Sequence, residues 1–310
     1  MSLWWLAVLG ACSGSDDGPD LTVASETTSA PTADTAAVEP PACPTFGEPE
    51  AVGVVVDPTL AELSGLVWAG GRFWTHNDSS GPVLVGLSEV GAVVQRVSVE
   101  GMVVFDWEDI AVRGDHLWLA DTGDNQSVRG TVWIHEVSVP DADEELVAPR
   151  TFTARWPGGP VDCEAMFADP ISGDVLLMSK VFDGVVTVAR LPDPDGEPGE
   201  EPVELEAVAT VVFGSEGIGS TTLVTGADIS PDGRFVVVRT YISAWVFPRV
   251  PGEPWADTFG REPCEAPTGP ERQGEAIAWS DDGLWTVSEG DSPPLHRTSL
   301  TWAADGGEAR

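Results

Sequence analysis

Basic side chains are scarce: 15 Lys and Arg stand against 51 Asp and Glu in 310 residues, leaving a net charge of −36. Such a chain repels phosphate backbones and anionic headgroups, which excludes nucleic acid as a partner and favours solubility or the attraction of cations. Lysine occurs once, at Lys180, and tyrosine once, at Tyr241, beside 14 arginines and 23 other aromatic residues. Close Cys/His spacing is missing, so a zinc site is not expected, and His116, His135 and His296 read as surface or packing residues. Helical periodicity is also missing, with 34 Gly and 26 Pro spread too evenly for long helices. The glycine-rich GSEGIGS at 214–220 precedes no helical pattern, which removes the usual reading as a phosphate loop. No nucleophile elbow surrounds Ser64, so a triad of Ser64, His76 and Asp78 is disfavoured. What the chain does have is 42% apolar content with 13 Trp and 10 Phe, enough for one large core.

The first dozen residues, MSLWWLAVLGAC, form an apolar run too short to span a bilayer, followed by a polar linker. The pattern resembles a bacterial lipoprotein signal, with residues 1–11 removed, lipid on Cys12, and a disordered tether over 12–43. It implies a protein held at the cell envelope by an acyl anchor, and Ser13 after the cysteine points to the outer membrane. The folded domain is expected over 44–304, with a short tail at 305–310, as a monomer. An oxidising compartment permits one disulfide among Cys43, Cys163 and Cys264. The Pro-rich settings of Cys43 and Cys264 make these two better candidates than Cys163, which lies inside a motif, but spacing leaves the pairing open.

Five segments repeat: ELSGLVW from Glu62, DWEDIAV from Asp106, DCEAMFA from Asp162, TGADISP from Thr225 and QGEAIAW from Gln273. Each is followed by a turn signal and a second apolar run: FWTHND, LWLADTGDN, VLLMSK, FVVVRTY and LWTVSE. Third and fourth short runs complete most units. Four strands per unit at intervals of about fifty residues predict an all-β fold, a β-propeller of five four-stranded blades. The unused strand EAVGVVVD at 50–57 would complete the last blade and close the ring. A sixth blade is possible only if the tract from 192 to 224 hides one; its acidic start, PDPDGEPGEEPVELE, reads as a solvated loop.

In such a blade the start of the innermost strand and the end of the second share one face of the disc. Motif starts thereby gather eight candidate metal ligands: Glu62, Asp106, Glu108, Asp109, Asp162, Glu164, Asp228 and Glu275. Second-strand ends add candidate ligand-binding residues, Asn77, Asp78, Asp121, Asp124, Asn125 and Glu289, and candidate catalytic residues, Lys180, Arg239, His76 and Tyr241. Crowded carboxylates repel one another unless something cationic neutralises them. Lys180, Arg239 and Arg129 supply part of that charge, and a hard cation such as Ca²⁺ would supply the rest, a metal-free salt-bridge network being the alternative. No organic cofactor is indicated.

The stretches ELSGLVW with FWTHND, VSVEGMVVFDWEDIAV with LADTGDN, DCEAM, ADISPDGR, and QGEAIAW with VSEG resemble secreted bacterial propellers of the SdiA-regulated and esterase-like phytase families. More distantly they resemble calcium-dependent gluconolactonase propellers. The resemblance covers about 60–304 and implies a propeller with a site on the channel face, often with calcium. Two functions fit. One is an anchored lipoprotein whose acidic channel face binds a metal, a small ligand or an envelope protein. The other is a Ca²⁺-dependent hydrolase of phosphate esters, esters or lactones. In the second, Glu108, Glu164 and Glu275 hold the ion with Asp106 and Asp162, Lys180 and Arg239 stabilise developing negative charge, and His76 or Tyr241 carries the proton.

Overall fold

The computed structural model describes residues 38–213 and 222–302. The expected leader 1–11, the lipidation site Cys12, most of the tether, the GSEGIGS stretch and the tail 305–310 lie outside the described residues.

Five sheets are present. Blade 1 comprises Leu63–Ala69, Arg72–Asn77, Val83–Leu87 and Val93–Val99. Blade 2 comprises Trp107–Arg113, His116–Asp121, Val132–Ser138 and Arg150–Arg155. Blade 3 is Cys163–Ala168, Val175–Ser179, Val185–Arg190 and Glu206–Val212. Blade 4 is Val224–Ile229, Phe235–Thr240, Ala244–Pro248 and Cys264–Ala266. Blade 5 has three strands from the C-terminal part, Gly274–Ser280, Gly283–Ser288 and Pro294–Thr301. Its edge is filled from the other end of the chain, where Glu50–Val54 and Thr45–Phe46 both pair antiparallel with Pro294–Thr301. Successive inner strands neighbour one another, and that of blade 5 returns to blade 1. The protein is a five-bladed β-propeller closed by its N-terminal strand. Between 192 and 223 only Val203–Glu204 and Glu206–Val212 are strands among the described residues, so the tract hides no sixth blade.

Burial explains the strand patterns. Inner strands are covered on both faces, and Cys163–Ala168 and Gly274–Ser280 are buried along their whole length. An outer strand such as Val93–Val99 alternates instead, with one face in solvent. The tight turn Ala69–Arg72 places Gly70 and Gly71 at φ of 59° and 78°, a left-handed pair that matches the strand twist. The core is five apolar layers, one between each pair of neighbouring blades, rather than a single central mass.

Outer edges are covered by the following blade. Leu146–Val147, from blade 2, adds in parallel to the outer strand of blade 1, and Val203–Glu204, from blade 3, does the same to blade 2. The acidic tract from 192 thus ends in an edge-covering strand instead of remaining wholly a solvated loop. The one-turn helix Trp255–Phe259 of blade 4 packs against the outer strand of blade 3. Cys43, just ahead of the closing strand, is joined to Cys264 on the outer strand of blade 4, with Cα atoms 5.9 Å apart. Cys163 is free and buried. These contacts leave little unpaired sheet edge.

Candidate functional site

Every inner strand carries a β-bulge at the same place: the register shifts between Leu63 and Leu66, Trp107 and Asp109, Cys163 and Ala165, Val224 and Gly226, and Gly274 and Ala276. A bulge re-aims the extra residue. That residue is Ser64, Glu108, Glu164, Thr225 or Glu275 in blades 1 to 5, a ring in which three of five positions are glutamate. Two places earlier stand Glu62, Asp106, Asp162, Leu223 and Gln273. Just beyond the second strands stand Asp78, Thr122, Lys180, Tyr241 and Glu289. Backbone bonds fix this third ring to the second, with Asp78, Lys180 and Glu289 donating to the carbonyls of Glu62, Asp162 and Gln273.

The three rings meet at the channel mouth. Glu108, Asp162 and Glu164 each offer a carboxylate oxygen, all within 4.8 Å of one another. Gly123 passes so close that a Cβ there would collide with the Glu108 and Asp106 carboxylates. Lys180 Nζ donates to Glu164 Oε1 and, at 2.8 Å, to Tyr241 Oη. Gln273 Nε2 bridges Glu275 Oε1 at 3.0 Å and Glu289 Oε2 at 2.8 Å. On blade 1, Glu62 Oε2 accepts from Asn77 Nδ2 at 3.2 Å and Ser79 Oγ at 2.7 Å.

The electrostatics follow from burial and crowding. Burial, with Glu164 beside it, pushes Glu275 up to about 9. Glu108 is raised well above the carboxylate range by burial and then by Glu164, Asp106 and Asp162. Burial and Asp162 raise Asp106, and burial raises Asp162 against the Asp124 amide that donates to it. Asp78 rises to about 6, through burial first and the Glu62 charge after. Glu289 is raised by burial and by Glu62. Burial raises Glu164 although Lys180 opposes it, while Lys180 is shifted upward because Glu164 and Tyr241 outweigh its own burial. The lysine is therefore a fixed ammonium. A site where so many acids are held above their ordinary values is short of positive charge, and three converging carboxylates suit a hard divalent cation.

Other candidates are placed elsewhere. Asp121 accepts from the Phe105 and Asp106 amides and from Arg129 Nη2 at 3.0 Å, and Asp124 accepts from the Val128 and Arg129 amides. Both hold loops that frame the mouth; Asn125 is exposed beside them. His76 and Arg239 share a register with Ala120, Met178 and Val287, the second-strand position that faces the next blade. Accordingly His76 is fully buried, stacked on Trp107 at 4.2 Å, and burial lowers it to about 3, so it is neutral. Arg239 is also fully buried, reaching beneath Gly274 to pair with Glu271, which in turn accepts from Thr286 and His296. Neither is a rim residue.

Asp109 and Asp228 lie deeper. Asp109 accepts from the amides of Ile110, Met166 and Ala227, tying three inner strands across the channel, where the other blades have Gly or Ala. Asp228 lies three residues past the bulge residue Thr225, two further than the match of TGADISP to DWEDIAV implies, and accepts from the Ile229 and Trp279 amides. Burial brings it to about 7. Gln273 and Gly123 were absent from the sequence candidates. Their signal was positional: Gln273 aligns with Glu62, Asp106 and Asp162, and Gly123 sits within DTGDN.

No family model matches the chain, and no curated protein matches it, so the families its motifs resemble are not assigned to it. Similar solved structures include a PQQ-bound aldose sugar dehydrogenase from Streptomyces coelicolor, 13% identical with a TM-score of 0.47, covering 84% of this chain and 100% of that one. A streptogramin B lyase is 8% identical with a TM-score of 0.46, covering 83% and 98%. A nidogen/laminin complex gives 14% and 0.44, covering 78% and 86%. Likenesses at this level assign no activity; the fold stands on the strand pairing itself.

Proposed function

We propose that the channel mouth binds a divalent cation, Ca²⁺, through Glu108, Asp162 and Glu164, and presents it to a small ligand. The observation that carries this reading is the convergence of the three carboxylates within 4.8 Å from two neighbouring inner strands, in a mouth where Lys180 and Arg129 alone among the described residues supply positive charge. The leader pattern adds the setting: a propeller tethered to the cell envelope through Cys12, outside the cytoplasm and with small molecules or envelope proteins as partners.

A second reading is favoured by the Lys180–Tyr241 pair, which places an ammonium and a phenol beside the acidic trio. It makes the protein a Ca²⁺-dependent hydrolase of esters, lactones or phosphate esters. A bound cation would polarise the substrate oxygen. One water is consumed: its oxygen bonds to the carbonyl carbon or phosphorus, the bond to the leaving alkoxy oxygen breaks, and the alcohol departs with a proton from that water. Lys180 stabilises negative charge on the oxygen, and one of the raised carboxyl groups carries the proton. In both readings His76 and Arg239 support the architecture from between the blades. Elemental analysis of the purified protein, with melts in Ca²⁺ and in EDTA, tests the metal. About one equivalent and a lower melting point in EDTA are expected; no metal and coincident melts refute it.

A further inference from the structure

The loops that carry the site residues also carry exposed apolar side chains. Phe182 is 83% exposed and follows Lys180 by two residues, Ile242 follows Tyr241 directly, and Phe105, 63% exposed, precedes Asp106. Scattered exposed apolar residues are ordinary. Here, however, both exposed phenylalanines of the described residues adjoin the mouth, and they lie on loops of different blades. Lys180 and Tyr241, adjoining Phe182 and Ile242 along the chain, hold a pair of unused donors. Lys180 is an ammonium with three N–H groups, of which Glu164 and Tyr241 take two. Tyr241 accepts from Lys180, so its own proton points elsewhere, and no acceptor among the described residues takes it.

We infer that Lys180 and Tyr241, with Phe182 and Ile242, form a subsite for the carbonyl oxygen of an uncharged ligand bearing an apolar group, such as an ester, lactone or amide. This rests on the mouth being a ligand site, as proposed above, but not on the metal. The ligand class follows from the three components together. The remaining N–H and O–H donors stand on atoms 2.8 Å apart, close enough for both to reach one acceptor oxygen. The apolar side chains beside them gain by losing water to an alkyl or aryl group. A polyanion such as an inositol phosphate would face Asp106, Asp162, Glu164 and Glu289 with Lys180 and Arg129 alone among the described residues to offset them, and is repelled.

Calorimetric titration of the full-length protein tests this with N-hexylbenzamide as a neutral carbonyl probe, hexylamine as a cationic probe and inositol hexakisphosphate as a polyanion, each with and without Ca²⁺. The amide should bind at submillimolar concentration whether or not Ca²⁺ is present, and more tightly than either charged probe. Tyr241→Phe, which keeps the ring, should weaken it about tenfold, and Phe182→Ser by about tenfold or more, with unchanged melting points. No binding of the amide, equal binding by both variants, or tighter binding of either charged probe overturns the inference. Calcium titrated into the same samples reports separately on the metal: amide binding without calcium binding defeats the metal reading and leaves this one standing.

Discussion

Removing the charge on Glu275 should stabilise the metal-free protein, and only above a certain pH. The side chain is buried and held at about 9, against an ordinary value of 4.5, by burial first and the Glu164 charge second. Because the folded value is raised, its favourable protonated state contributes fully below about pH 4.5 and is lost as pH rises towards 9. At about 1.36 kcal/mol per pH unit, the penalty for folding with this group is on the order of 3 kcal/mol at pH 7 and larger at pH 9. Glu275→Gln keeps the shape, and the Gln273 amide can still donate to its side-chain oxygen. Calorimetric melts in EDTA at pH 4.5, 7 and 9 should show no gain at the lowest pH and about 5 °C or more at pH 7, widening at pH 9. A variant less stable than the wild type at pH 7, or a gain that does not change with pH, would refute the electrostatic description of the mouth.

Two other outcomes are expected. Cys43→Ser frees the closing strand from blade 4 and should cost on the order of 3 kcal/mol, read as a lower denaturant midpoint that matches reduced wild type. Arg239→Met strands the buried Glu271 carboxylate and should cost about 3–5 kcal/mol. Amide binding at the mouth should persist in folded Arg239→Met protein, whereas its loss would return Arg239 to the site.

The fold was legible because each blade repeats one bulged strand followed by a turn and a second strand, and because one strand at 50–57 had no partner in its own part of the chain. The bulge and motif-start carboxylates were legible for the same reason: Glu108, Glu164 and Glu275 occupy one place in the repeat. Strand parity was harder to read. At a second-strand end, successive residues point to the neighbouring blade and then away, and nothing in FWTHND or FVVVRTY says where the last inward residue falls. His76 and Arg239 therefore read as rim residues, although His76 lies on Trp107 and Arg239 fills the space left by the missing Cβ of Gly274. Blade 4 misled by similarity of a different kind. The ADI of TGADISP matches the EDI of DWEDIAV, yet the bulge falls at Thr225, so backbone pairing moves Asp228 two residues down the channel. The loop-borne pairings of Asp121 and Asp124 with Arg129 depend on a turn whose conformation no repeat encodes.

The most direct test of the central claim is calcium titrated into EDTA-stripped wild type and into Glu108→Gln, followed by calorimetry. The account predicts one site in the wild type and at least a tenfold loss of affinity in the variant, with the fold intact by circular dichroism. Equal calcium binding by the two proteins, or none by the wild type, would contradict it.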